Sequence, residues 1–262
     1  MIVDAIAALK ADPALAALRR SLDVYYGDSA REAAMDRLYG RFVGPGDLAI
    51  DIGSHVGDRI ACFRRLGARV LAVEPQPDCA RVIRAIHGHD PRVELIEGAC
   101  GAAEGVLTLH VNSANPPVST ASSAFVRAAA RAGGWEGQSW DREIEVTVTT
   151  LDTLVSRREV PAFAKIDVEG FEHDVLLGLS AALPALSFEF TTLQRDIARG
   201  CLVRLAALGD YRYNLSRGER HVLDFDGWLT AQEMDRHLAA VPHETNSGDV
   251  YAVLGDSASR SR

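Results

Sequence analysis

The chain has 262 residues, 47% of them hydrophobic, and a formal net charge of -8. That is enough apolar material for one full core without a forced division into two, and the acidic balance argues against a nucleic-acid backbone as main partner. No apolar run is long enough to span a bilayer. Asp4, Lys10 and Asp12 interrupt the Ala-rich start, so it reads as an amphipathic helix and not a signal peptide. Cys62, Cys79, Cys100 and Cys201 are scattered with no C-x-x-C pair, which predicts free thiols and a reducing, cytoplasmic setting.

Residues 1–42 predict a helical cap: Ile2 to Arg20, then Ser29 to Tyr39 after the Gly27-Asp28 break. Either this segment only packs on an α/β core, or Tyr25, Tyr26 and Tyr39 face a substrate cleft. Gly44-Pro-Gly46 leads into Leu48–Ile52, a short β-favouring apolar run closed by Gly53. After Gly57 the pattern turns helical, with Ile60, Phe63 and Leu66 on related faces and Gly67 as a stop. Strand, glycine turn and helix open a nucleotide-type α/β site, because glycine lets the backbone approach a ligand and a helix N-terminus presents free N–H groups.

The dinucleotide fingerprint G-x-G-x-x-G is not met: His55 and Asp58 stand where its second and third glycines belong. Asp51 and Asp58 would repel a pyrophosphate and suit a ligand bearing an ammonium group. S-adenosylmethionine fits, with a nucleoside, a sulfonium and an amino acid but no phosphate. Asp51, Gly53, Ser54, His55, Gly57 and Asp58 are therefore the candidate cofactor turn.

Arg69 to Glu74 predicts the second strand. Glu74, followed by Pro75, stands roughly 20 residues past the glycine turn, where an acid accepts hydrogen bonds from ribose hydroxyls. This supports a nucleoside without choosing between S-adenosylmethionine and NAD. A helix over Asp78–His87 and a third strand over Arg92–Glu97 come next. Gly98-Ala-Cys-Gly101 is either a plain turn or a small-residue segment that lays Ala99 against adenine. Gly105 to Val111 predicts an extra strand or hairpin.

Residues 112–142 are Ser/Ala/Gly-rich and carry Trp135 and Trp140. An irregular insertion of this length is either a lid over an apolar or sugar-like substrate or a disordered spacer. Strands are expected over Glu143–Thr149, Ala162–Asp167, Leu186–Phe190, Tyr211–Leu215 and Asp249–Leu254, with a helix over Arg195–Leu208 and a flexible tail at 256–262. The repeated βα units predict one doubly wound α/β sheet over 43–255, with Asp51, Glu74 and Asp167 on its ligand-collecting carboxyl edge.

Four blocks together resemble the FkbM-type methyltransferases: Gly44 to Asp58, Val73-Glu-Pro75, Thr150-Leu-Asp-Thr-Leu154 and Lys165-Ile-Asp-Val-Glu-Gly-Phe-Glu172. The resemblance frames residues from about 40 to about 255 and leaves the helical segment 1–42 uncovered. It implies a class I, Rossmann-like, seven-stranded fold and S-adenosylmethionine-dependent O-methylation of a hydroxyl on a saccharide or secondary metabolite. Carried over, Asp51, Gly53 and Gly57 would hold the methionine part and Glu74 the ribose. His55 departs from the family, which often has Asn there.

An alcohol is a poor acid, so such a reaction needs a base or a metal. Asp167 is the first candidate base and Glu169 the second. Of 28 basic residues only Lys10 and Lys165 are lysines, and Lys165 either tunes these acids or forms a plain salt bridge with them. Alternatively Asp167 and Glu189 bind Mg²⁺. His173, His221 and His243 show no ligand spacing. The expected partner is a small-molecule or glycan hydroxyl acceptor, with homo-oligomer formation left open. The competing readings are an NAD-dependent oxidoreductase and a non-catalytic S-adenosylmethionine-binding scaffold.

Overall fold

The computed structural model describes residues 2–255, so the expected tail at 256–262 lies outside the described residues. Helices α1 (Ile2–Ala11), α2 (Arg19–Tyr25) and α3 (Ser29–Tyr39) precede the first strand. The single helix expected from Ile2 to Arg20 is broken. Asp12 caps a 3₁₀ turn over Pro13–Leu18 by accepting from the Ala14 amide, and Pro13 cannot donate the helical hydrogen bond that would continue α1.

The main chain of elements is then β1 (Leu48–Ile52), α4 (Asp58–Arg65), β2 (Arg69–Val73), α5 (Pro77–His87), β3 (Val93–Ile96), β4 (Ala99–Cys100), β5 (Gly105–Val111), α6 (Ser123–Ala129) and β6 (Arg142–Thr149). It continues through α7 (Leu151–Ser156), β7 (Phe163–Ile166), α8 (Glu172–Leu177), β8 (Ala185–Thr191), α9 (Arg195–Leu208), β9 (Tyr211–Arg217), α10 (Ala231–Ala240) and β10 (Ser247–Leu254). Seven strands form one sheet in the order β3-β2-β1-β7-β8-β10-β9, parallel except for β10, which runs antiparallel to both neighbours. This is the doubly wound, seven-stranded class I arrangement. Helix α10 had no sequence expectation; a capping box between Thr230 and Glu233 starts it, and Met234 and Leu238 bury its apolar face.

Strand alternation sorts the side chains into two layers. Ile50, Leu71, Ala164, Leu186 and Phe188 face one core, covered by Val175 and Leu176 of α8 and by Cys201, Leu202 and Leu205 of α9. Ala49, Ala72, Phe163 and Tyr251 face the other, covered by Tyr39 of α3 and Phe63 of α4. Near the carboxyl ends of the parallel strands, this second face turns polar. Asp51 pairs in register with Lys165, Lys165 with Ser187, and Glu189 with Asp249.

The segment Gly105–Val111 and its partner β6 leave the main sheet and join β4 in a separate three-stranded sheet. The stretch between them is a packed structure. Ser122 caps α6, Trp140 Nε1 donates to the Val118 carbonyl at 2.9 Å, and Phe125 meets Trp135 and Trp140 edge-on. All four cysteines are buried and unpaired, and no helix among the described residues is long and apolar enough to cross a membrane.

Candidate functional site

The glycine turn after β1 is forced by close packing at the sheet edge. Gly53 has φ +82°, and a methyl group added there would overlap the backbone carbonyl oxygen of Asp167. The Asp167 amide in turn donates to the Ile52 carbonyl at 2.9 Å. The ends of β1 and β7 are thereby held together, which carries Asp167 to the same opening as the turn. Gly57, at φ +84°, leads into α4 against the ring of His87.

Of the expected site residues, Gly53, His55, Glu74, Pro75, Ala99, Asp167 and Glu169 line a single cleft. Ala99 and Cys100 form one wall, and Pro117, Ser119 and Ala121 from the insertion form the roof. The insertion thus contributes to the cleft lining, while Trp135 and Trp140 do not line it.

Glu74 is buried, and its two oxygens accept from the amides of His55 and Gln76, each at 2.8 Å. Burial pushes its carboxyl up to about 8, opposed by those two amide hydrogen bonds. Gln76 was not foreseen, and it ties the roof down: its Nε2 donates to the Pro116 carbonyl at 3.1 Å, and Ser119 Oγ donates to its Oε1 at 3.1 Å.

Asp51 and Ser54 sit buried beneath the turn. Ser54 Oγ donates to the Asp51 carbonyl at 2.8 Å, while Asp51 Oδ2 has no hydrogen-bond partner among the described residues. Burial raises the Asp51 carboxyl to about 7 against the attraction of Lys165. A buried, unsatisfied carboxylate oxygen beside a ligand turn is costly unless something cationic or hydrogen-bonding meets it.

Asp58 is placed differently from the sequence expectation. Its Oδ2 accepts from Arg31 at 2.9 Å and Arg59 at 2.5 Å, and both guanidiniums also reach Glu219. These arginines outweigh burial and hold the Asp58 carboxyl low. The group does not line the cleft and has no charge to spare for a ligand's ammonium. Arg59 is the next residue in sequence, but Arg31 comes from the N-terminal helices and Glu219 from beyond β9, so no local pattern announces the rest of the network.

The Lys165–Glu172 block resolves into parts. Lys165 is fully buried, and its Nζ donates to Asp167 Oδ2 at 2.9 Å and to Asp249 Oδ1 at 2.8 Å. Burial pulls its pKa down, but the two carboxylates outweigh that and hold it well above the ordinary lysine value. Asp167 is 30% exposed, and among the described residues no hydrogen bond engages its Oδ1. Glu172 accepts from the amides of Val168 and Gly170 and so shapes the turn.

That turn holds Glu169 at φ +55°. His55, at φ +49°, is the other non-glycine residue of the cleft lining with left-handed backbone. Such strain, of order 1–3 kcal/mol each, collects at ligand sites. One oxygen from each of Asp167, Glu169 and Glu189 lies within 4.8 Å of the others. Burial, reinforced by neighbouring carboxylates, raises the pKa of Glu169 and Glu189 well above the ordinary value. Tyr26 and Tyr39 are buried in the cores, so of the three tyrosines considered for the cleft only Tyr25 stays partly open, edge-on to His55.

The family described as Methyltransferase FkbM domain matches residues 51–217, more than half of the chain. The hexuronic acid methyltransferase AglP of Haloferax volcanii is 29% identical over 153 residues, 58% of this chain and 57% of its own length. The chain therefore spans little more than half of that relative. Among solved structures, a TehB-like SAM-dependent methyltransferase from Corynebacterium glutamicum is 12% identical with a TM-score of 0.45, over 90% of this chain and 93% of that one. The precorrin-6y C5,15-methyltransferase of Geobacter metallireducens is 11% identical with a TM-score of 0.43, over 87% and 90%.

Proposed function

The chain belongs to the FkbM methyltransferase family, and from that premise we propose that it transfers the methyl group of S-adenosylmethionine to a hydroxyl oxygen of a saccharide or secondary metabolite. The saccharide reading draws support from AglP, whose name gives a hexuronic acid as its substrate. We take residues 43–255 as the S-adenosylmethionine-binding domain and 1–42 as its cap. The observation that carries the reading is the convergence of Gly53, Glu74, Asp167 and Glu169 on one cleft at the carboxyl edge of β1, β2 and β7. The unsatisfied Asp51 Oδ2 below the turn fits a cationic amino-acid moiety, and the buried Glu74 carboxylate fits ribose hydroxyls.

When bound, the sulfonium supplies an electrophilic methyl group. The protein then has to hold an acceptor oxygen in line with it and receive the hydroxyl proton. Asp167 is the assigned base: Lys165 anchors Oδ2 and leaves Oδ1 to accept the proton. Glu169, with its raised pKa, stands beside it as an acid already inclined to carry a proton. Lys165, fixed by Asp167 and Asp249, positions the base and does not meet the acceptor.

The Asp167, Glu169 and Glu189 cluster favours a second reading, in which the three carboxylates hold Mg²⁺. Three hard oxygen donors with waters completing six positions suit that ion, and Glu189 Oε2 has no other partner among the described residues. Its chemistry would be polarisation of the hydroxyl. Transfer of labelled methyl from S-adenosylmethionine to a panel of hydroxylated sugars tests both. Asp167→Ala should lose about 10²-fold or more in turnover while still binding S-adenosylmethionine. Dependence on Mg²⁺ after chelation, lost in Glu189→Gln, selects the metal reading. Binding without transfer to any acceptor would support a scaffold.

A further inference from the structure

The family match begins at Asp51, yet residues of the N-terminal helices hold the glycine turn directly. Ser21, buried on α2, places Oγ 2.8 Å from Nε2 of His55. The other ring nitrogen, Nδ1, lies 3.5 Å from Cys79 Sγ. One residue on, the Tyr26 hydroxyl donates to the Val56 carbonyl at 2.9 Å. The turn is thus gripped from outside the matched region at two successive positions.

The grip matters because of what the His55 backbone does. Its φ of +49° lies in the left-handed region, which a side-chain-bearing residue avoids at a cost of about 1–2 kcal/mol. In that conformation its amide donates to Glu74 Oε2 at 2.8 Å. Relaxing to an ordinary φ would swing the peptide and take the amide off the carboxylate. The ring is what can hold the backbone there, since it is tethered at both nitrogens and packed edge-on against Tyr25. Burial also keeps the imidazole neutral, pulling its pKa down to about 4, so the tether does not come and go near neutral pH.

We propose that Ser21 is a positioning residue of the S-adenosylmethionine site, holding the His55 ring so that the left-handed turn keeps its amide on Glu74. The inference rests on the methyl-donor reading above. It makes the N-terminal helices, outside the matched family region, a working part of the binding site.

The test is calorimetric titration of S-adenosylmethionine into the full chain and into Ser21→Ala, His55→Gly and the double variant. Glycine accepts the left-handed φ without strain and has no ring to hold. Ser21→Ala is expected to weaken binding roughly 3- to 10-fold, the worth of one buried hydrogen bond. In the His55→Gly background the same change should alter affinity by less than about 2-fold, because its effect travels through the absent ring. A purely structural serine would weaken both backgrounds by the same factor, and that result overturns the proposal, as does unchanged affinity in Ser21→Ala. A wild-type chain that fails to bind S-adenosylmethionine overturns the methyl-donor reading and this inference with it. Wild-type binding with additive variants overturns the role of Ser21 alone.

Discussion

Replacing Gly53 by alanine tests the architecture of the site most directly. The residue has φ +82°, where a side chain costs about 1 kcal/mol or more, and the new methyl would overlap the Asp167 carbonyl oxygen and come 2.9 Å from its carbon. Neither neighbour is the free end of a flexible side chain. Both belong to the backbone of β7's continuation, which is tied to β1 by the Asp167 amide. Overpacking of this kind costs about 1–3 kcal/mol, so the total is about 2–4 kcal/mol. For a chain of this size that lowers the melting temperature by roughly 5–15 °C. The displacement must also move Asp167 relative to the turn, so S-adenosylmethionine affinity should fall by at least about tenfold. Gly57→Ala is the control, since its methyl meets side chains and no backbone, the His87 ring at 3.1 Å and Ile60 Cδ1 at 3.3 Å, and it should cost distinctly less. Scanning calorimetry and titration of the purified variants read both effects. A Gly53→Ala chain that melts within about 2 °C of wild type with unchanged affinity would refute the close approach on which the site is built.

Lys165→Met should cost about 3–5 kcal/mol in denaturant unfolding, because it strands the buried Asp249 without its cation; adding Asp249→Asn should recover much of that loss, and equal instability of single and double variants would contradict the pairing. Asp51 and Glu74 have folded pKa values of about 7 and about 8, above their unfolded values near 4, so the folded chain keeps protons that the unfolded chain has released. Stability of the ligand-free chain should therefore fall as pH rises from about 4 to about 8 and then level off, and Asp51→Asn should flatten that slope while weakening S-adenosylmethionine binding; a pH-independent melting temperature over this window would count against it. Gln76→Ala removes two of the hydrogen bonds that fasten the roof, so amide exchange over residues 112–120 should speed up and cofactor affinity fall about 3- to 10-fold, whereas unchanged exchange would show the remaining bonds, such as that from Thr120 Oγ1 to the Glu169 carbonyl, to be sufficient.

Much of the fold and the site was legible in the sequence because it is local. The apolar run Leu48–Ile52, its punctuation by Gly53 and Gly57, and an acid at the end of the second strand arise from backbone sterics and strand chemistry, and they placed Asp51, Glu74 and Asp167 at one sheet edge. Even the break at Asp12-Pro13 was written locally, though the helical pattern around it masked the signal. What only the tertiary structure decided is which charges are free. By sequence, Asp58 was an acid waiting for an ammonium group; packing brings Arg31 onto it and turns the neighbouring Arg59 back to it, and the charge is spent internally. Asp51 is the reverse case, a strand acid left with an unmet oxygen beneath the turn. His55 gave a departure from the family pattern but no hint of Ser21, 34 residues earlier, as its partner. Electrostatics and hydrogen bonding act through distance in space, which the spacing of residues along the chain does not encode until the fold has closed it.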